Sequence, residues 1–226
     1  MQIPKIIFQT SRTRPPSYLV NMIKQKCPGW TYIHFTDEDI INFFLKNPIE
    51  EFSNIINIFQ SLKVGAHKSD LFRYYFLYIK GGVHLDSDAM FQLNVENICL
   101  DYDFFSVNSS YCPGCIFQGL IGAVPNNEIV YAALKDAYIV NINQLNSDYL
   151  LLCRNLYNII YDKDTIWSCK LKIYSETYCS DEIALVVDNE RNNILILAHY
   201  FGLKIVPNKY FNKSQILQHK VLVKFR

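Results

Sequence analysis

Two aspartates lie two positions apart, directly after a short apolar segment. Asp86 and Asp88 follow residues 81–85, which begin with two glycines. Side chains alternate along an extended strand, so we expect both carboxylates and the imidazole of His84 to share one face. Carboxylates this close repel each other unless a cation lies between them. A hard divalent ion, Mn²⁺ or Mg²⁺, takes oxygen ligands and would suit this pair.

A second charged pair lies in the segment that precedes this strand. Apolar residues recur at helical spacing across 61–80, and the glycine at 81 supplies a left-handed stop, so we predict a helix there. Asp70 and Arg73 then lie on one stripe of that helix, side by side. A simple intrahelical ion pair is the alternative interpretation. The helix and the strand together would present four charged residues at one site.

The rest of the chain alternates between predicted strands and helices. Strands are expected at 3–8, 30–35, 83–86, 104–107, 116–124, 194–199 and 204–206. Helices are expected after Ser17 and at 36–45, 61–80, 127–140, 149–161 and 181–187. This alternation favours an α/β domain with a mainly parallel sheet, and it places the charged residues at the ends of strands.

The composition excludes several classes of protein. The chain has 226 residues, half of them apolar, and a net charge of +1. This length predicts one domain, and the near-neutral charge argues against a nucleic-acid partner. No apolar run approaches the ~20 residues that span a bilayer. The N-terminus lacks the pattern of a signal peptide and the seven cysteines are odd in number, so we expect a cytoplasmic protein with reduced thiols.

The charged block resembles a known family. The matching residues are Ala66, Ser69-Asp70, Arg73-Tyr74, Leu77, Gly81-Gly82 and Asp86-Ser87-Asp88. This pattern looks like the sugar-binding region of the DXD glycosyltransferases of family 32, which include the yeast initiating α-1,6-mannosyltransferase. It is also similar to the glucosylating domains of large clostridial toxins. Residues 3–10, 28–30 and 36–40 match the N-terminal pattern of the same family.

The resemblance implies a fold and an activity. The fold would be a single nucleotide-sugar-binding α/β domain of the GT-A type. The activity would be metal-dependent transfer, with retention of the anomeric configuration, from a nucleotide-sugar to a glycan or protein hydroxyl. A UDP-sugar is the favoured donor, a GDP-sugar is the second option, and Mn²⁺ or Mg²⁺ is the cofactor. The donor-binding half would be about 1–125 and the acceptor-side half about 126–226.

The resemblance also implies roles for individual side chains. Asp86 and Asp88 would be the catalytic pair that binds the metal bridging the donor diphosphate. Asp70 and Arg73 would hydrogen-bond donor-sugar hydroxyls and the diphosphate. The remaining donor-binding positions are Gln9, Thr10 and His84.

Several positions depart from the family or match it only loosely. Ser11 stands where a tryptophan is common and His84 where a tyrosine is usual, and either change could alter the choice of base or sugar. Gln118 falls where an asparagine is expected. Asp181 is a candidate catalytic residue at the start of the helix predicted at 181–187, with an N-cap as the alternative. His219 is a candidate late metal ligand, with a solvated tail histidine as the alternative.

Two other functions fit the Asp-x-Asp pattern. Phosphoryl-transfer enzymes of the haloacid dehalogenase type also carry it after an apolar strand, with the first aspartate as nucleophile, but they favour Thr or Val where Met90 stands. A nucleotide-sugar-binding protein without turnover is the second alternative. Cys112 and Cys115 have the spacing of a zinc or redox motif, but further ligands at suitable spacing are missing, so we predict a tight turn between strands.

Overall fold

The computed structural model describes residues 2–99, 101–180 and 183–200. The strands are β1 (Ile6–Thr10), β2 (Thr31–Phe35), β3 (Gly82–Leu85), β4 (Ala89–Phe91), β5 (Phe104–Asn108), β6 (Ile116–Ala123), β7 (Leu171–Ser180), β8 (Ile183–Asp188) and β9 (Ile194–His199). The helices are α1 (Ser17–Lys26), α2 (Asp37–Lys46), α3 (Ile55–Ser61), α4 (Gly65–Lys80), α5 (Glu96–Cys99), α6 (Glu128–Ile139), α7 (Ile142–Ser147) and α8 (Leu151–Ile160). Within these ranges no helix is long and apolar enough to cross a membrane.

The described strands form one sheet in the order β2-β1-β3-β6-β5-β7-β8-β9-β4. The pairs β1–β2, β1–β3 and β5–β7 are parallel. The pairs β3–β6, β5–β6, β7–β8, β8–β9 and β4–β9 are antiparallel. The α/β prediction is confirmed, and parallel pairing holds for the first three strands. The short connections after β5, β7 and β8 allow only hairpins, because a parallel return needs a crossover of about a dozen residues.

The segment 183–188 corrects one predicted element. It forms β8 and not the helix expected at 181–187. All six of its residues are buried, so the alternation of buried and exposed residues that marks a strand is absent from the sequence. The short acidic start suggested a helix, but β8 pairs along its length with both β7 and β9.

Apolar side chains cover both faces of the sheet. Ile7 and Phe8 are adjacent in β1 and belong to two separate buried clusters. One cluster contains residues of α1, and the other contains residues of α2, α4, α6 and α8. Phe8 contacts the rings of Phe72 and Phe76 at 6.3 and 4.3 Å between centroids. The packing therefore fixes α4 against β1, next to the strand that leads to the Asp-x-Asp motif.

Two glycines make the connection between α4 and β3, next to the motif. Gly81 ends α4 with φ 65°, and Gly82 begins β3 with φ 106°. A Cβ on Gly82 would lie 2.8 Å from the carbonyl oxygen of Ile6, so only glycine lets β3 approach β1 this closely. The hairpin between β5 and β6 turns at Cys112, whose carbonyl accepts a bond from the amide of Cys115 at 3.1 Å. The predicted turn is confirmed.

Candidate active site

A cleft of about 930 Å³ opens at the ends of β1 and β3. Its wall is completed by the start of α4, the loop 109–115, the first half of β6 and the beginning of α8. Five of the residues predicted from the sequence line it: Thr10, Asp70, Arg73, Asp86 and Asp88. The cleft therefore brings the charged residues of α4 together with the Asp-x-Asp turn.

Arg73 connects three elements at the floor of this cleft. Its Nη1 donates to Asp70 Oδ1 at 2.8 Å and to Gln118 Oε1 at 3.1 Å. Its Nη2 donates to Ser69 Oγ and to Asp86 Oδ1, each at 3.2 Å. Only 3% of the Arg73 side chain is exposed. Arg73 is therefore more than the partner of Asp70 on one helix, because it also holds β6 and the motif.

Asp86 and Asp88 lie in a turn between β3 and β4. The amide of Asp86 donates to the carbonyl of Gly119 at 2.9 Å, and the amide of Ala89 donates to the carbonyl of Asp86 at 3.1 Å. The side chains of Asp86 and Asp88 are 34% and 21% exposed. Burial raises the pKa of Asp86 to about 6, Arg73 opposes that shift and the neighbouring Asp88 adds to it. Two carboxylates thus face the cleft at a point where negative charge is disfavoured.

Gln9 and His84 lie behind the cleft rather than on its surface, because neither is among the lining residues. Gln9 Nε2 donates to the carbonyl of Asp86 at 3.0 Å, and Tyr32 Oη donates to Gln9 Oε1 at 2.7 Å. His84 is fully buried, with Nε2 3.9 Å from Asp86 Oδ1. Burial and the charge of Arg73 hold the pKa of His84 well below its usual range. Gln9 thus supports the backbone of Asp86, and His84 lies buried beside that residue, whereas the family resemblance implies that both side chains bind the donor.

The other end of the cleft carries cations and hydroxyls. Thr10 Oγ1 and Ser69 Oγ share a hydrogen bond of 2.6 Å. Lys68 Nζ donates to Asp37 Oδ2 at 2.7 Å. Ser11, which stands where the family commonly has a tryptophan, donates from Oγ to the carbonyl of Thr13 at 2.7 Å. The remaining charged residues of this end are Arg12 and Lys63.

The sequence did not reveal two residues of the site. Glu176 of β7 and His199 of β9 both line the cleft. His199 Nε2 lies 3.5 Å from Asp88 Oδ2, and its Nδ1 lies 3.3 Å from Glu176 Oε1. Burial lowers the pKa of His199, but the contacts with Asp88 and Glu176 outweigh it and raise that pKa to about 9. No local motif marks either residue, because the sheet register alone brings them to the turn.

Two predicted residues lie outside the described part of the chain. They are the candidate catalytic residue Asp181 and the candidate metal ligand His219. Gln118, where an asparagine was expected, is buried and accepts from Arg73 and, at 2.7 Å, from Tyr74 Oη. This position therefore contributes to the site through Arg73.

The family comparison agrees with this arrangement. Residues 15–105 match the family described as "glycosyltransferase sugar-binding region containing DXD motif". This segment is similar to the sugar-binding region of the DXD glycosyltransferases. It contains Asp70, Arg73 and both aspartates of the motif, and the match favours the glycosyltransferase interpretation over the haloacid dehalogenase alternative.

Three curated proteins, two fungal and one viral, are similar to part of this chain. Mannosyl phosphorylinositol ceramide synthase SUR1 of Saccharomyces cerevisiae is 30% identical over 137 residues, which are 59% of this chain and 34% of that protein. Inositol phosphoceramide mannosyltransferase 1 of Schizosaccharomyces pombe is 34% identical over 155 residues, 66% of this chain and 45% of that protein. The uncharacterized glycosyltransferase L373 of Acanthamoeba polyphaga mimivirus is 29% identical over 106 residues, 46% of this chain and 41% of that protein. The chain spans less than half the length of these relatives.

A solved structure shares the fold of this chain. PaToxG Glycosyltransferase superposes with a TM-score of 0.50 at 14% identity, covering 72% of this chain and 70% of that one. Identity this low supports the fold alone. The predicted α/β fold of the GT-A type is confirmed.

Proposed function

We propose that this chain is a glycosyltransferase that moves a sugar from a nucleotide-sugar to a hydroxyl acceptor with the help of a divalent cation. The observation that carries the proposal is the contact of Arg73 with both Asp70 and Asp86 at the floor of one cleft, beside Asp88. A surface ion pair on α4 would not need a second carboxylate from another element. The arrangement suits a ligand that is both polar and anionic, as a sugar diphosphate is.

The residues of the turn fit a divalent cation. The described ranges contain no group of three His, Cys, Asp or Glu side chains that could hold a metal. Asp86 and Asp88 nevertheless offer two partly exposed carboxylates on the cleft, and burial, with an added contribution from Asp88, raises the pKa of Asp86. A hard ion takes such oxygen ligands and leaves positions for phosphate oxygens and water. Mn²⁺ is the proposed ion, and Mg²⁺ is the second choice.

The chemistry that we propose is mainly electrostatic. Negative charge develops on the departing nucleoside diphosphate, and a dication held by Asp86 and Asp88 would stabilise it. The side chains themselves orient the donor. Asp70 and Arg73 present a carboxylate and a fixed guanidinium to sugar hydroxyls and phosphate, and Arg12 and Lys63 add positive charge to the cleft wall. Retention of the anomeric configuration follows from the family resemblance and belongs to the same proposal.

The donor and acceptor are proposed at the level of chemical class. The family resemblance favours a UDP-sugar over a GDP-sugar, whereas the names of two relatives point to mannosyl transfer and to an inositol-containing acceptor. Acceptors to test are therefore glycan hydroxyls, protein hydroxyls and an inositol phosphoceramide. We further propose that residues to about 125 bind the donor and that the remainder forms the acceptor side.

A panel of nucleotide-sugars with Mn²⁺ tests the proposal. Hydrolysis or transfer of one donor is expected, and Asp88→Asn should lower the rate at least about 100-fold because a metal ligand is lost. Asp164→Asn, an exposed aspartate in a surface turn, is the matched control and should keep the rate. Donor binding without turnover on any acceptor would favour the binding-protein alternative. Absence of both binding and turnover would refute the proposed function.

A further inference from the structure

Glu176 is a buried carboxylate whose two oxygens serve different parts of the cleft. Its side chain is 1% exposed. Oε2 accepts from Ser109 Oγ at 3.0 Å, from the amide of Ser110 at 2.9 Å and from Ser110 Oγ at 3.3 Å. Oε1 lies 3.3 Å from His199 Nδ1. These bonds outweigh the effect of burial and hold the pKa of Glu176 below its usual range. One side chain thus holds both the start of the loop 109–115 and an imidazole.

His199 carries this contact onward to the Asp-x-Asp turn. Its Nε2 lies 3.5 Å from Asp88 Oδ2. Its ring stacks on Phe117 with 4.4 Å between centroids, and its backbone pairs with Ala89 of β4. The amide of Tyr200 donates to the carbonyl of Asp88 at 2.9 Å. Ring stacking, backbone pairing and contacts at both ring nitrogens therefore fix the position of His199.

We infer that Glu176 is a positioning residue that sets the carboxylate of Asp88 through His199 and couples it to the loop 109–115. The inference rests on the proposed function, because it concerns the aspartate to which that function assigns the metal. A carboxylate behind an imidazole fixes the orientation of the ring, and a fixed ring limits the positions open to Asp88. Residues of this loop, Ser109 and Tyr111 among them, also line the cleft. Through Glu176, the conformation of the loop 109–115 and the position of the Asp88 carboxylate are thus coupled.

Hydrogen exchange of Glu176→Gln tests the coupling without any donor. A glutamine oxygen can accept from the loop or from the imidazole, but the amide nitrogen cannot replace the second carboxylate oxygen. We expect protection to fall about tenfold in residues 109–115 and also in 86–91. Glu128→Gln is the matched control, because Glu128 Oε1 likewise accepts from a serine hydroxyl, Ser168 Oγ, at 3.0 Å and from the amide of Cys169 at 2.9 Å. In this control, the loss of protection from exchange should be confined to residues near 168–169.

His199→Phe extends the test and stands in if the first variant does not fold. Phenylalanine keeps the stacking on Phe117 but loses both nitrogen contacts, so exchange in 86–91 should rise as in Glu176→Gln. Unchanged exchange in 86–91 in the variants that fold would overturn the inference.

The metal dependence of transfer supplies a second readout. We expect each single variant to raise the Mn²⁺ concentration for half-maximal rate about tenfold, and the double variant to raise it no further, because both act through one contact. Additive effects would overturn the inference. If the wild type transfers no sugar, the proposed function fails, and the exchange data still decide whether Glu176 positions Asp88.

Discussion

Arg73 shows how much a single residue of this site could be predicted. Its spacing from Asp70 is visible in the sequence because both lie on one helix. Its bonds to Gln118 and Asp86 depend on where β6 and β3 lie, so local spacing does not reveal them. The same holds for Glu176 and His199, which the sheet register alone brings to Asp88. Local patterns therefore identified the charged groups, whereas the supporting groups required the fold.

The first prediction concerns Arg73→Met. Burial raises the pKa of Asp70 and Arg73 opposes that shift, so removal of the guanidinium would leave a buried carboxylate without its cation. Breaking a buried pair costs about 3 to 5 kcal/mol, and we expect a loss of unfolding free energy of that order in urea. Arg154→Met is the control, since Arg154 pairs with Asp148 near the surface and should cost less than about 1 kcal/mol. Equal losses in both variants would contradict the role of Arg73.

The second prediction concerns the pH dependence of stability. Burial and the charge of Arg14 lower the pKa of His34, and its Nε2 contacts Ser11 Oγ at 2.7 Å. The unfolded chain then binds the proton more tightly, so this contribution to stability is present above about pH 6.5 and is lost as the pH falls through the lowered pKa.

His34→Gln removes that contribution while it keeps a donor for Ser11. The free energy of unfolding of the wild type minus that of the variant should therefore decrease from pH 8 to pH 5, by at most about 1.4 kcal/mol per pH unit. Urea unfolding at several pH values measures it, and the other histidines cancel because both proteins contain them. A difference in unfolding free energy that stays constant with pH would contradict the lowered pKa of His34.

At the scale of elements, the strand β6 forms the wall that supports the motif. A Cβ on Gly119 would lie 2.1 Å from Phe117 Cζ and 2.8 Å from Asp86 Oδ2. The sequence identified this strand, because Ile116–Ala123 falls within the predicted strand at 116–124. It did not show that the glycine leaves room for Asp86, since that depends on the neighbouring strand β3.

The third prediction concerns Gly119→Ala. The added methyl group must displace the ring of Phe117 or the carboxylate of Asp86, so we expect Mn²⁺-dependent transfer to fall at least about tenfold and stability to fall by about 1 to 3 kcal/mol. Gly65→Ala is the matched control, because no atom lies within 4 Å of its added Cβ at the start of α4. That change should be neutral or slightly stabilising in thermal unfolding. Full activity in Gly119→Ala would contradict the close packing of Gly119 against Phe117 and Asp86.

At the scale of the whole molecule, the site lies where parallel and antiparallel parts of the sheet meet. The parallel strands β1 and β3 carry Thr10 and lead to Asp86. Gln118, Glu176 and His199 come from β6, β7 and β9, each of which has at least one antiparallel neighbour. The alternation of strands and helices predicted the parallel part. The antiparallel part follows from short connections between long strands, and one of those strands, β8, has the uniform apolar pattern that a helix can also have. The cytoplasmic location stays a prediction.

Binding of a nucleoside diphosphate, measured by titration calorimetry, tests the central claim most directly. UDP and GDP are each titrated into the chain with Mn²⁺, with EDTA, and into Asp88→Asn with Mn²⁺. If Asp86 and Asp88 hold a cation beside Arg73, one diphosphate binds with Mn²⁺ and binds at least about tenfold more weakly in the other two cases. Binding that EDTA and the Asp88→Asn change leave equally tight, or no binding of either diphosphate with Mn²⁺, would contradict the account.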